Sequence, residues 1–409
     1  MTKALLLPVY ILFFTCGYAQ NLPSLLSEKN INATFSVIAF DSATQEWGIA
    51  VATNNIYVGN STIYIEPGLG AFSVIAETEP SYARNGFEQL RHGKTIQQAI
   101  EFTRQTDTEN YTRQVSGIDA RGDVYAFTGA ALQYWQGTAA HKTGEHFAVM
   151  GNQLADSVLA AMAFSFENAT GTLAEKLLKS LTAGQQAGGQ ITGKQSAALV
   201  VKGTHNEWFN QIDLRVDDSK TPFEDLQKLL NYHYGRIVLN QSLYAIRAGN
   251  RSRGETLLHE AETLTEGWNG IYGKIVMAYI LLGNENKAAA IIQKAMAENP
   301  LWIENVPVFY CLYHRADINQ LKKEATFTVN DWQKAVQGLI NVQQKEAAIT
   351  LATRILKIYP SSSYIHYLLG KAWLESGKKE LAITSLSKAL AIDRGNAEAR
   401  QLLTSLFSK

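Results

Sequence analysis

Apolar residues between positions 34 and 80 fall in short bursts rather than at helical spacing. "TFSVIAF" from Thr34, "GIAVAT" from Gly48 and "GAFSVIAE" from Gly70 are each bounded by turn residues and read as strands. The first two, at 35–40 and 47–53, are joined by a polar turn. The spacing then becomes helical. "PSYARNGFEQLRHG" has Pro80 at a helix start and Gly93 at its end, and "TIQQAIEFTRQT" sets Thr95 and Gln98 at capping-box spacing. "RQVSGIDARGDVYAFTG" predicts a hairpin turning at 120–123, and "EHFAVMGN" a further strand. Two more helices follow, "DSVLAAMAFSFEN" and "TLAEKLLKSLTAGQQAGG". The second opens on a Thr172/Glu175 capping box and stops at Gly188 and Gly189. "QSAALVVKG" and "WFNQIDLRVDD" are the last strands, and a helix from Phe223 leads into purely helical sequence.

Strands that do not alternate with helices exclude a doubly wound parallel sheet. Blocks of strands separated by helix pairs predict an α+β domain over 33–230, with two antiparallel sheets and helices outside them. "SAALVV" and "FSVIAF" are apolar on both faces, as strands covered on both sides must be. A four-layer α/β/β/α sandwich satisfies that pattern.

Beyond residue 235 the chain repeats. "AIRAGNRSRGETLLHEAETL" and "AYILLGNENKAAAIIQKAMAENP" align with Gly249 over Gly283, 34 residues apart. In "YIHYLLGKAWLESGKKELAITSLSKALAID", Gly370 and Ala382 are small where two helices meet, Trp373 and Leu386 fill the space between them, and Gly377 makes the turn. Pro300 and Pro360 close units by stopping helices. The expected units are 235–268, 269–302, 329–362 and 363–396, with an irregular segment at 303–327. The segment 235–409 resembles the tetratricopeptide repeat family, an all-α array. That resemblance implies a peptide or protein partner in a concave groove, or alternatively a capping or self-associating role that makes a homo-oligomer.

The first twenty residues carry one early charge, Lys3, then the apolar run "ALLLPVYILFF" and the small residues Gly17 and Ala19. This predicts a signal peptide over 1–19 and an exported protein, periplasmic or secreted, with no integral membrane segment once the signal is removed. Cleavage would remove Cys16 and leave Cys311 as the remaining cysteine. Lys plus Arg and Asp plus Glu both number 37, and so balanced a charge argues against nucleic acid as a partner. The eight histidines are scattered without metal-ligand spacing, and no phosphate loop or nucleophile elbow occurs. No metal or cofactor is expected.

Seven ordered blocks, "TFSVIAFD", "WGIAVAT", "EPSYARNGFEQLRHG", "RQVSGIDARGDVYAFTG", "GNQLA", "AGGQITGKQSAALVV" and "DLRVDD", resemble a bacterial family named domain of unknown function 1028. That family is grouped with the N-terminal-nucleophile hydrolases. The resemblance implies their four-layer fold and cleavage of an amide or peptide bond by an N-terminal Thr, Ser or Cys whose free α-amine is the base. Such an amine has a pKa near 8, which suits proton transfer at neutral pH.

Carried onto this chain, the nucleophile is Thr34, although threonine is also a good strand residue. A cut between Ala33 and Thr34, beyond signal removal, would be required to free its amine. Thr53 and Asn54 stand where the family pattern has a small hydroxyl residue and a lysine, so Asn54 supplies no charge; Lys194 could enter from another strand or be solvated. Glu77 lines a pocket or caps the next helix. Asn152 offers an amide to an oxyanion or makes a turn. Ser196 faces Thr34 or is structural. Arg84 binds a substrate carboxylate or pairs with Glu88, and Asp217 lines the site or, with Asp218, caps a helix. Two functions remain open. One is an exported amide or peptide hydrolase with Thr34 as nucleophile. The other is a non-catalytic exported binding protein that keeps the sandwich and recruits partners through its repeats.

Overall fold

The computed structural model describes residues 33–299, 328–341 and 343–407. The expected signal segment 1–19, Cys16, Cys311 and the irregular stretch 303–327 lie outside them. The chain divides into two compact units, one ending at Gln227 and one beginning at Lys228.

The first unit holds two antiparallel sheets. Six strands, β1 (Thr34–Asp41), β2 (Glu46–Thr53), β7 (Thr138–Gly144), β8 (Phe147–Leu154), β9 (Ser196–Gly203) and β10 (Ile212–Val216), form one in the order β10-β9-β2-β1-β8-β7. Four strands, β3 (Ile63–Glu66), β4 (Gly70–Ala76), β5 (Arg113–Asp119) and β6 (Val124–Thr128), form the other in chain order. Two of these escape the sequence pattern, and both are sheet edges. β7 reads "TAAHKTG" and is half-exposed or exposed throughout, while β3 has four residues, none buried, so neither shows an apolar alternation.

Helices α1 (Ser81–Arg91) and α2 (Ile96–Arg104) pack on the four-stranded sheet. Their seam holds Phe72, Val74, Tyr82, Ile96, Ile100 and Val115. Helices α3 (Val158–Asn168) and α4 (Leu173–Gln186) pack on the six-stranded sheet. Both expected capping boxes form, at Thr95/Gln98 and Thr172/Glu175. Side chains of the two sheets meet in a buried cluster of Ile38, Phe40, Trp47, Ile49, Ala71, Ile118 and Ala148. On β1, Ile38 and Phe40 therefore face the other sheet, while Phe35 turns toward the helices and stacks on Phe223.

Helix α5 (Pro222–Arg247) ends in the second unit, which continues with α6 (Arg251–Leu264), α7 (Tyr272–Leu282), α8 (Glu285–Glu298), α9 (Val329–Asn341), α10 (Lys345–Ile358), α11 (Ser363–Glu375), α12 (Lys379–Ile392) and α13 (Ala397–Ser405). Four tight turns join helix pairs through a left-handed residue: Gly249 (φ 85°), Gly283 (φ 70°), Gln343 (φ 62°) and Gly377 (φ 76°). Five residues after each comes a buried small residue: Gly254, Ala288, Ala348 and Ala382. At Gly370 a Cβ would sit 2.7 Å from Leu386 Cγ and 3.2 Å from the Ala382 carbonyl, so the two helices touch too closely for a side chain there. Among the described residues no helix is long and apolar enough to cross a membrane.

Candidate active site at the start of the first strand

Thr34 opens β1, an interior strand paired with β2 on one side and β8 on the other. Pairing places Thr53 opposite Thr34, and Ser196 opposite Thr53. On the far side, the Thr34 N–H donates to Asn152 Oδ1 at 3.1 Å. Four polar residues thus form one row across β9, β2, β1 and β8. Two residues further along their strands, Val51, Met150 and Ala198 pack against Ile75 of the other sheet, which fixes the row as facing the space between the sheets.

The Thr34 hydroxyl donates to Thr53 Oγ1 at 3.2 Å, and Thr53 donates in turn to the Ala33 carbonyl at 2.7 Å. The Asn54 N–H also reaches that carbonyl, at 3.4 Å. Ala33 is fully buried. A single carbonyl next to the Thr34 hydroxyl is therefore held by two donors from the end of β2.

A cavity of 280 Å³ opens over Thr34. Its walls come from the loop after β2, including Asn55, Tyr57, Asn60 and Thr62, and from Ala76, Glu77 and Thr78 at the end of β4. Ala76 holds a left-handed backbone at φ 66°, which a Cβ disfavours. Just beyond it Glu77 lies in the wall, its N–H still donating to the Thr112 carbonyl at 3.4 Å.

The Glu77 carboxylate has no hydrogen bond or ion pair among the described residues, although its backbone carbonyl accepts from Arg113 Nη1 at 3.2 Å. Burial pushes the Glu77 carboxyl above its ordinary value; Arg113 opposes this and Glu109 reinforces it. Arg113 spends its charge elsewhere, on Asp107 at 3.0 Å and Glu109 at 3.1 Å. Just before helix α1 it is Glu79, not Glu77, whose carboxylate accepts from the Ser81 N–H, at 2.9 Å; Pro80 stands at the N-cap.

Gln114 is the residue the sequence did not single out. It is fully buried on β5 and reaches across to the six-stranded sheet. Its Nε2 donates to the Gly151 carbonyl at 3.0 Å and the Ala140 carbonyl at 2.9 Å, and its Oε1 accepts from Asn152 Nδ2 at 3.1 Å. It thereby fixes the Asn152 amide with Oδ1 toward Thr34. The available signal was its place beside Ser116 and Ile118 on the inward-facing positions of a strand, where a long amide has to find partners.

Other expected site residues lie elsewhere. Arg84 is exposed on the outer helix α1 and pairs with no carboxylate among the described residues, because α1 turns its buried stripe, Tyr82, Ala83, Gly86 and Leu90, to the sheet. The Lys194 ammonium lies over the Phe223 ring, 5.5 Å from its centroid, rather than among the cavity-lining residues. Asp217 is exposed; neighbouring Asp218 accepts from Gln195 at 2.7 Å, and the start of α5 is held by Ser219 and Asp225 instead. The side chain of Asn54 donates to Thr192 at 2.9 Å, so only its backbone N–H faces the Ala33 carbonyl. Ser196 Oγ is buried without a hydrogen-bond partner among the described residues.

With the strand order and the Thr34 row established, comparison with known proteins places the first unit. Residues 34–226 match the family of unknown function DUF1028. The DUF1028 match begins on Thr34 itself, and residues 343–406 match a tetratricopeptide repeat family. Among solved structures, the DUF1028 protein SPO2555 from Silicibacter pomeroyi is 28% identical, with 48% of this chain and 84% of that one covered at a TM-score of 0.45. A MamA fragment from Desulfovibrio magneticus RS-1 is 16% identical over 42% of this chain and 82% of its own, with a TM-score of 0.21. YrrB, described as a tetratricopeptide repeat protein with an unusual peptide-binding site, is 15% identical over 41% and 90%, with a TM-score of 0.22. No curated protein matches.

Proposed function

We propose that the DUF1028 region, 33–230, is a four-layer α/β/β/α sandwich of the N-terminal-nucleophile type that hydrolyses an amide or peptide bond with Thr34, in an exported protein whose repeats, 235–409, recruit a peptide or protein partner. The observation that carries this reading is the Ala33 carbonyl, buried beside the Thr34 hydroxyl and held by Thr53 Oγ1 at 2.7 Å and the Asn54 N–H at 3.4 Å. Once the bond between Ala33 and Thr34 is cut and the leader leaves, a substrate carbonyl takes that place.

The freed Thr34 amine, oriented by Asn152 Oδ1, accepts the hydroxyl proton as Oγ1 attacks the carbonyl carbon. The developing oxyanion receives the Thr53 O–H and Asn54 N–H, donors already positioned before reaction. Collapse of the tetrahedral adduct expels the leaving amine with the proton from the Thr34 ammonium. Water then hydrolyses the Thr34 ester and regenerates hydroxyl and amine. Asn152 orients the amine in this scheme, and the oxyanion role expected of it passes to Thr53 and Asn54.

The layering is supported by helix pairs on the outer face of each sheet and a shared core between the sheets. A second reading, a non-catalytic binding protein, is favoured by one feature: no lysine or arginine lines the cavity among the described residues. Intact mass of the mature exported protein separates the two. A start at Thr34, lost in Thr34→Ala together with amide cleavage, is the expected result. An active, fully mature sample that starts near Gln20 refutes the Thr34 mechanism.

A further inference from the structure

Among the described residues, the cavity over Thr34 has one acidic side chain in its wall and no lysine, arginine or histidine. Glu77 supplies the carboxylate; the remaining lining is hydroxyl, amide, phenol and aliphatic. The nearest cation, Arg113, is neutralised twice over by Asp107 and Glu109 and gives the Glu77 residue only a bond to its backbone carbonyl. Behind the wall, one Arg113 already faces two carboxylates, Asp107 and Glu109, so Glu77 adds a third and the group is net negative. An unpaired carboxylate in a half-buried position is costly unless a ligand completes it. The volume of 280 Å³ lies at the small end of ligand sites, which begin at about 300 Å³, so the occupant is on the scale of one amino-acid side chain.

Resting on the hydrolase reading of the same site, we propose that the cavity selects an amide substrate bearing a protonated amine or guanidinium. Glu77 receives the cation, and the amide carbonyl reaches Thr53 and Asn54. Glu77 is then a substrate anchor rather than a proton shuttle. Anionic substrates are disfavoured because no lysine, arginine or histidine side chain lines the cavity among the described residues and the Thr34 amine must stay neutral to act as base.

The test is binding of three probes to protein produced to begin at residue 34 and carrying Thr34→Ala, which leaves the place of the Ala33 carbonyl open and prevents turnover. The probes are Nα-acetyl-lysinamide, its near-isostere Nα-acetyl-norleucinamide, and Nα-acetyl-glutamic acid amide. Titration calorimetry should give the lysine probe about tenfold or greater preference over norleucine, with the glutamate probe weakest. Glu77→Gln should abolish the preference of lysine over norleucine, and Glu77→Asp should keep part of it. Thermal melting checks that each variant is folded. Equal binding of lysine and norleucine probes, no binding of any probe, or a preference that survives Glu77→Gln overturns the proposal. Cationic preference without any Thr34-dependent cleavage sinks the hydrolase reading alone. Thr34-dependent cleavage of neutral amides without cationic preference sinks this one alone.

Discussion

Two side chains decide the geometry around Thr34, and they differ in how visible they are. Thr53 stands opposite Thr34 because the polar turn at 42–45 fixes the hairpin register, which the strand spacing already predicts. Replacing its hydroxyl in Thr53→Val keeps the shape and removes the donor to the Ala33 carbonyl. Amide cleavage should fall by about 10²–10³-fold, with a much smaller loss of stability, as steady-state rates and melting would show. Gln114 belongs to no recognisable motif, since its partners come from strands distant in sequence. Gln114→Ala would leave the Asn152 amide and two backbone carbonyls unsatisfied in the interior. Chemical denaturation should register a loss of about 3 kcal/mol at unchanged m-value. The same distance in sequence explains why two readings each of Arg84 and Lys194 stayed open: their reach depends on which face of an outer helix or loop they occupy, and local spacing does not encode that.

Among the elements, legibility follows burial. Central strands and capped helices announce themselves through apolar runs and Thr-x-x-Glu/Gln spacing. The edges β3 and β7 do not, because an edge strand owes its place to backbone pairing rather than to side chains. In the helical unit, three of the four left-handed turns carry glycine, and those were readable; the fourth carries Gln343 at φ 62°. A side chain in that conformation costs about 1 kcal/mol relative to glycine. Gln343→Gly should therefore raise the melting temperature of the helical unit, and Gly377→Ala should lower it by a comparable amount, both followed by circular dichroism.

For the molecule as a whole, the chain divides at Gln227 and Lys228 into two units, each with its own titrating groups. Glu77 is the informative group in the first. Burial raises its carboxyl above 4.5, so folding favours the protonated form. Its contribution is fully favourable below the unfolded value and is lost as pH rises through the folded one. Glu77→Gln, which is neutral throughout, should match the wild type near pH 4 and exceed it in stability near about pH 7, the gap opening across the raised value. Melting curves across that range check the sign.

The junction between Ala33 and Thr34 carries a consequence for chronology. Proteases take their substrate as an extended segment with free edges, and here the residues after the junction are already zipped on both sides into a six-stranded sheet. An outside protease finds nothing to grip once the sheet has closed. On the hydrolase proposal, scission at this junction would belong either to the moments before β1 is captured or to groups within the finished domain. A refolded, protease-free preparation followed by mass over hours distinguishes an event of birth from one of maturity.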